Sequence, residues 1–281
     1  ARREQERLGR YTFDIQIPPG ELPVRRGEIV AWSGQTGVGV PHLHYEMRQG
    51  DVAINPQTAG FPVRDSIPPV IEEIAATPLD PRSHVEGQWD TCSLLPRGPA
   101  APPCRLGGRI GFSVRAWDAA TSRGYRVGPY SCLLRVDGVV VYRSVQERFD
   151  YADNHLAVLE YDQARLLERG ERVQLLYRRP GDRLPGRAAP GSGEAVLFAP
   201  APADTAGERW FAPGVHTLEV EVADAAGNAT VRRVQVEAGE LQAQPRRPQG
   251  LQHCQHLRRQ PVVVARVVGP VQRLEQQHQV V

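Results

Sequence analysis

Proline and glycine interrupt this chain so often that long helices find little room. The sequence holds 25 Pro and 27 Gly, together 52 of 281 residues. Proline donates no backbone N–H, and both residues belong to turns, so short strands joined by turns are favoured. The apolar pattern agrees. Ile110 to Trp117 and His216 to Val222 alternate with period two, the spacing of a strand with one face in a core. Val231, Val234 and Val236 give a weaker version. Leu133 to Tyr142 carries Asp137-Gly138 at its centre, the strongest short hairpin signal. The fold class expected is all-β.

Charge and length exclude several roles. Arg supplies all 34 basic residues against 32 acidic ones, for a net charge of +2. That balance does not mark a nucleic-acid binder. No run of 18 apolar residues occurs, so no stretch reads as a transmembrane helix. Of the four cysteines, Cys92 and Cys104 flank a Pro/Ala-rich loop. A local disulfide and unpaired thiols are both open readings.

Composition separates three zones. Residues 1–64 begin with a charged, helical stretch from Arg2 to Arg10. Short β-like runs follow at Tyr11–Ile15, Glu28–Trp32 and His42–Met47. Ser66-Ile67-Pro68-Pro69 opens a second zone, 65–239, which carries the alternating strands and is expected to be a β-sandwich. Residues 185–213 read as a long surface loop. Asp224-Ala225-Ala226-Gly227-Asn228 reads as a turn. A calcium loop is the alternative, but turns alone select Asp, Gly and Asn. The tail, 240–281, is rich in Gln and Arg and expected to be disordered. Its His253-Cys254-Gln255-His256 has no further ligands at a fixed spacing and reads as chance.

One segment carries chemistry: Gly27-Glu28-Ile29-Val30-Ala31-Trp32-Ser33-Gly34-Gln35-Thr36-Gly37-Val38-Gly39-Val40-Pro41-His42-Leu43-His44-Tyr45-Glu46. Val40-Pro41 stands where a phosphate loop needs Lys and Ser or Thr. Gly37-Val38-Gly39 lacks the third glycine of a dinucleotide fingerprint. No Gly-x-Ser-x-Gly elbow occurs. On a strand, His42, His44 and Glu46 share one face while Leu43, Tyr45 and Met47 share the other. The two imidazoles then lie ~7 Å apart along the strand, so a zinc site needs ligands from neighbouring strands. A bare His-x-His fits a solvated strand face as well as a metal site.

The surroundings of that pair resemble the lysostaphin-type (LytM-type) zinc metallopeptidases. The matching residues are Val24-Arg25-Arg26-Gly27-Glu28-Ile29-Val30, Ser33-Gly34-Gln35-Thr36-Gly37, Pro41-His42-Leu43-His44-Tyr45-Glu46-Met47-Arg48 and Ile54-Asn55-Pro56. Asp65-Ser66-Ile67-Pro68-Pro69, Gly128-Pro129-Tyr130, Arg135-Val136-Asp137-Gly138 and Asp224–Asn228 resemble, more loosely, a subgroup with an immunoglobulin-like sandwich after the peptidase. The resemblance implies a zinc endopeptidase that cuts peptide cross-links of bacterial peptidoglycan, exported to the periplasm or cell envelope. It implies that His44 is a zinc ligand and His42 the catalytic histidine beside the metal. Glu46 shares their face. A paired or solvated carboxylate is the favoured reading there over one that orients an imidazole.

The family's first two ligands, a His and an Asp four residues on, have no counterpart, since no His here is followed by Asp at that spacing. The resemblance therefore implies a partial antiparallel β-sheet peptidase domain over 1–64, of the duplicated-hybrid-motif type, with the chain beginning inside it. Zinc is the cofactor implied and peptidoglycan peptide the partner. Two other readings stand beside it. One is a non-catalytic, peptidase-like scaffold that binds wall or activates another hydrolase. The other is a wall-binding sandwich using Trp89, Trp117, Trp210 and Tyr130, although core packing or a strand end suits Trp117 better.

Overall fold

The computed structural model describes residues 2–9, 18, 20–30, 32, 45–61, 63–95, 101–119, 125–188, 197–199, 209–210 and 212–239. Contacts divide the chain into a first unit that includes Ala1–Tyr45 and a second that runs from Glu46. In the first, α1 (Arg2–Leu8) forms where a helix was expected. An Arg7–Glu4 pair at 2.6 Å joins successive turns, with the acid nearer the helix N-terminus. Glu28, Ile29, Val30 and Trp32, expected on a strand, carry no regular structure. Ile29 and Trp32 are 68% and 79% exposed, and no described strand pairs with them, so extension there gains no burial. The expected strand at Tyr11–Ile15 lies outside the described residues. Of His42–Met47, only Met47 is on a described strand.

The second unit is built of strands, and the all-β class holds. Its first sheet joins β1 (Met47–Gln49), β2 (Val52–Ile54) and β9 (Arg148–Asp150). Residues 47–54, expected with the N-terminal zone, are thus hydrogen-bonded to a segment of the second. The larger assembly uses β3 (Val70–Pro78), β4 (His84–Val85), β5 (Cys92–Leu95), β6 (Cys104–Trp117), β7 (Ser131–Val136) and β8 (Val139–Val145). It also takes in β10 (Gln174–Leu175), β11 (Arg187–Ala188), β12 (Leu197–Ala199), β13 (Arg209–Trp210), β14 (Gly214–Ala223) and β15 (Ala229–Ala238). The 185–213 stretch, expected as loop, therefore holds three short strands. β11 extends β8, and β12 bonds to β6, because those edges offer unpaired backbone groups.

β6 organises the assembly. Its first residues run parallel to β15, Cys104 opposite Val236, on the sheet ordered β8-β7-β14-β15. Its later residues run antiparallel to β3, Ile110 opposite Pro78 and Trp117 opposite Val70, on a second sheet with β5. The strand changes sheets at Gly107-Gly108, where Gly108 has φ +82° and a Cβ would stand 2.7 Å from Ser83 Cα. One core lies between, with Ile74, Ile110, Phe112, Leu134, Leu218 and Val220 wholly buried. α2 (Gln163–Arg169) begins where the Asp162 side chain accepts from Arg165 N–H and ends at Gly170 with φ +68°. Cys92 is half-buried, and Cys104 and Cys132 are buried in the core.

Candidate metal centre

His42 and His44 lie outside the described residues. So do Cys254 and the rest of the tail. Glu46 is described, and both of its oxygens are engaged. Oε2 pairs with Arg48 Nε at 2.5 Å, and Oε1 accepts from Tyr151 O–H at 2.6 Å. The Arg48 guanidinium sits over the Tyr151 ring, 4.6 Å from its centroid. Of the aromatics considered for glycan binding, Trp117 ends β6 and donates to Glu72 at 2.8 Å under the Arg126 guanidinium. Tyr130 donates to Glu147. Trp89 is 47% exposed.

A different group of ligating side chains converges at one end of the sandwich. Because Val70 pairs with Trp117, the residues just before β3 lie beside those just after β6. The β14–β15 turn reaches the same place, where Thr230 Oγ1 donates to the Pro69 carbonyl at 2.5 Å. Three aspartates therefore meet: Asp65 ahead of β3, Asp118 directly after β6, and Asp224 directly after β14. One carboxylate oxygen from each lies within 4.8 Å of the others.

Their surroundings differ. Asp224 is 4% exposed and turns back on its own loop. Oδ1 accepts from the Asn228 backbone N–H at 2.9 Å and Oδ2 from Asn228 Nδ2 at 2.7 Å. Asp65 is half-buried, and its Oδ1 accepts from Ile67 N–H at 2.9 Å. Asp118 is 7% exposed, and its Oδ1 is buried with no hydrogen-bond partner. Burial pushes the Asp118 carboxyl above the ordinary carboxylate range. A bond from the Ala119 N–H opposes this, and the charges of Asp65 and Asp224 add to it.

All the donors are hard oxygens, which suit calcium or magnesium better than the imidazole set of a zinc peptidase. Among the described residues this is the one group of three or more such side chains close enough to share a metal ion. Asp224–Asn228 forms the turn its residue types imply, while Asp118 carries no motif in the sequence. The available signal was an aspartate directly after the last residue of an alternating strand, at both Asp118 and Asp224. Comparison with known proteins returned no match to any family model, any curated protein or any solved structure.

Proposed function

We propose that the chain carries part of a zinc endopeptidase of the lysostaphin type, acting on peptidoglycan peptides in the bacterial envelope. The observation that carries this reading is Pro41-His42-Leu43-His44-Tyr45-Glu46-Met47-Arg48 following Ser33-Gly34-Gln35-Thr36-Gly37. His44 supplies imidazole nitrogen to the metal. His42, two residues away in sequence, holds or moves a proton near neutral pH. Bound zinc would supply polarisation of the peptide carbonyl. Catalytic zinc takes three protein ligands, so two more must join His44.

The 281 residues contain no His-x-x-x-Asp pair, and that observation favours a second reading. In it the protein is a peptidase-like scaffold that binds wall or activates another hydrolase without metal. One experiment separates the two. The coding sequence is read in frame upstream of the Ala1 codon, and the protein it encodes is assayed for bound zinc and for release of peptides from purified peptidoglycan. Zinc uptake and peptide release, both lost in His44→Ala, support the endopeptidase. A protein that takes up no zinc and releases nothing leaves the scaffold.

A further inference from the structure

The second unit buries four carboxylate residues among its described residues: Asp118, Glu160, Asp182 and Asp224. Two are neutralised in the ordinary way. Arg187, whose side chain is 4% exposed, reaches Asp182 Oδ2 at 2.7 Å and Glu160 Oε2 at 2.9 Å. The other two stand together with Asp65, and among the described residues no arginine or histidine pairs with any of the three. Three carboxylates crowded together, two of them buried, repel one another and lose hydration. The buried, unpartnered Asp118 Oδ1 adds an acceptor with nothing to accept.

We propose that Asp65, Asp118 and Asp224 hold a calcium ion at this end of the sandwich. One carboxylate oxygen from each aspartate lies within 4.8 Å of the others, close enough for all three to reach one ion. Magnesium requires near-ideal octahedral geometry, which side chains from three separate segments are poorly placed to give, whereas calcium tolerates irregular oxygen shells. Asn228 positions the Asp224 carboxylate through two hydrogen bonds, and water completes the coordination shell.

The ion adds a tie between three segments that already meet: the Pro-Pro approach to β3, the end of β6 and the β14–β15 turn. Its role is structural, fixing how the chain enters the sandwich, and it is independent of zinc at His44.

The test uses the full 281-residue chain, stripped with chelator and dialysed against calcium chloride. The expected result is one calcium retained per chain and a rise in Tm. Asp118→Asn should bind calcium roughly tenfold or more weakly and lose most of the rise. In chelator its Tm should match or exceed that of the unaltered chain, because one of three repelling charges is gone. Asp65→Asn, at the half-buried member, carries the same expectation and serves should Asp118→Asn lose the fold. His44→Ala should leave the calcium response intact. No calcium retained, or a rise that survives both aspartate substitutions, overturns the proposal. An equal rise with magnesium chloride overturns the choice of ion.

Discussion

His216 shows how one side chain couples a turn to a strand. Its Nδ1 lies 2.6 Å from Asp137 Oδ2 and its Nε2 lies 2.7 Å from the Ala212 carbonyl. Both nitrogens face acceptors, so only the imidazolium donates at both. Burial pulls the pKa of His216 down. The hydrogen bonds to Asp137 and Ala212 and the charge of Asp137 outweigh it, leaving the value above the ordinary 6.5. A raised native pKa means the stabilisation is complete below pH 6.5 and is lost as pH rises through the native value. His216→Gln should therefore cost about 1 kcal/mol in acid and less in base. Urea midpoints of both chains at about pH 5.5 and about pH 8.5 measure it, and a cost that does not change with pH refutes it. Gly108 is sensitive for a steric reason. Alanine there would hold φ +82° and press its Cβ to 2.7 Å from Ser83 Cα. Gly108→Ala should lose about 2 kcal/mol or more, read as a lower urea midpoint.

The strands were readable where one face is buried and the turn between them is short. β7 and β8 flank Asp137-Gly138, whose φ values of +50° and +80° are those of a two-residue hairpin turn. β14 alternates buried Leu218, Val220 and Val222 with outward Glu219 and Glu221, which Arg135 reaches at 2.7 and 2.8 Å. β11, β12 and β13 were not readable. Two or three residues carry no period, and they extend because partner strands offer backbone groups, which is a property of the assembled sheets. The same holds for Arg187 of β11, whose sequence neighbours say nothing of Glu160 and Asp182. Removing its guanidinium leaves two buried carboxylates unpaired. Arg187→Ala should cost about 3–5 kcal/mol, about as much as Phe112→Ala in the centre of β6. Combining Arg187→Ala with Glu160→Gln and Asp182→Asn should recover part of that loss. A triple variant no more stable than the single one would mean that unpaired charge is not the cause.

Core and candidate sites divide along the chain. Every member of the main buried cluster falls between Ile71 and Ala238, while Met47–Ile54 attach through β9. The His-x-His pair that carries the peptidase reading precedes Glu46, where the second unit begins. The aspartate cluster is wholly inside that unit, and its members are 53 and 106 residues apart in sequence. Sequence could show the imidazoles, because one strand would put both on one face. It could not show the aspartates, because only the pairing of β3 with β6 and the return of β14 bring them together. These placements predict how the two metals separate. A chain cut to residues 46–239 should unfold in one cooperative transition, since it keeps the whole core. It should keep the calcium-dependent rise in Tm and have lost any zinc uptake that the longer protein shows. Calorimetry of the cut chain with calcium, with zinc and with chelator reads all three. A calcium response that disappears with residues 1–45 would mean that the aspartates need ligands from the first unit, and the cluster would no longer count as a site complete within the sandwich.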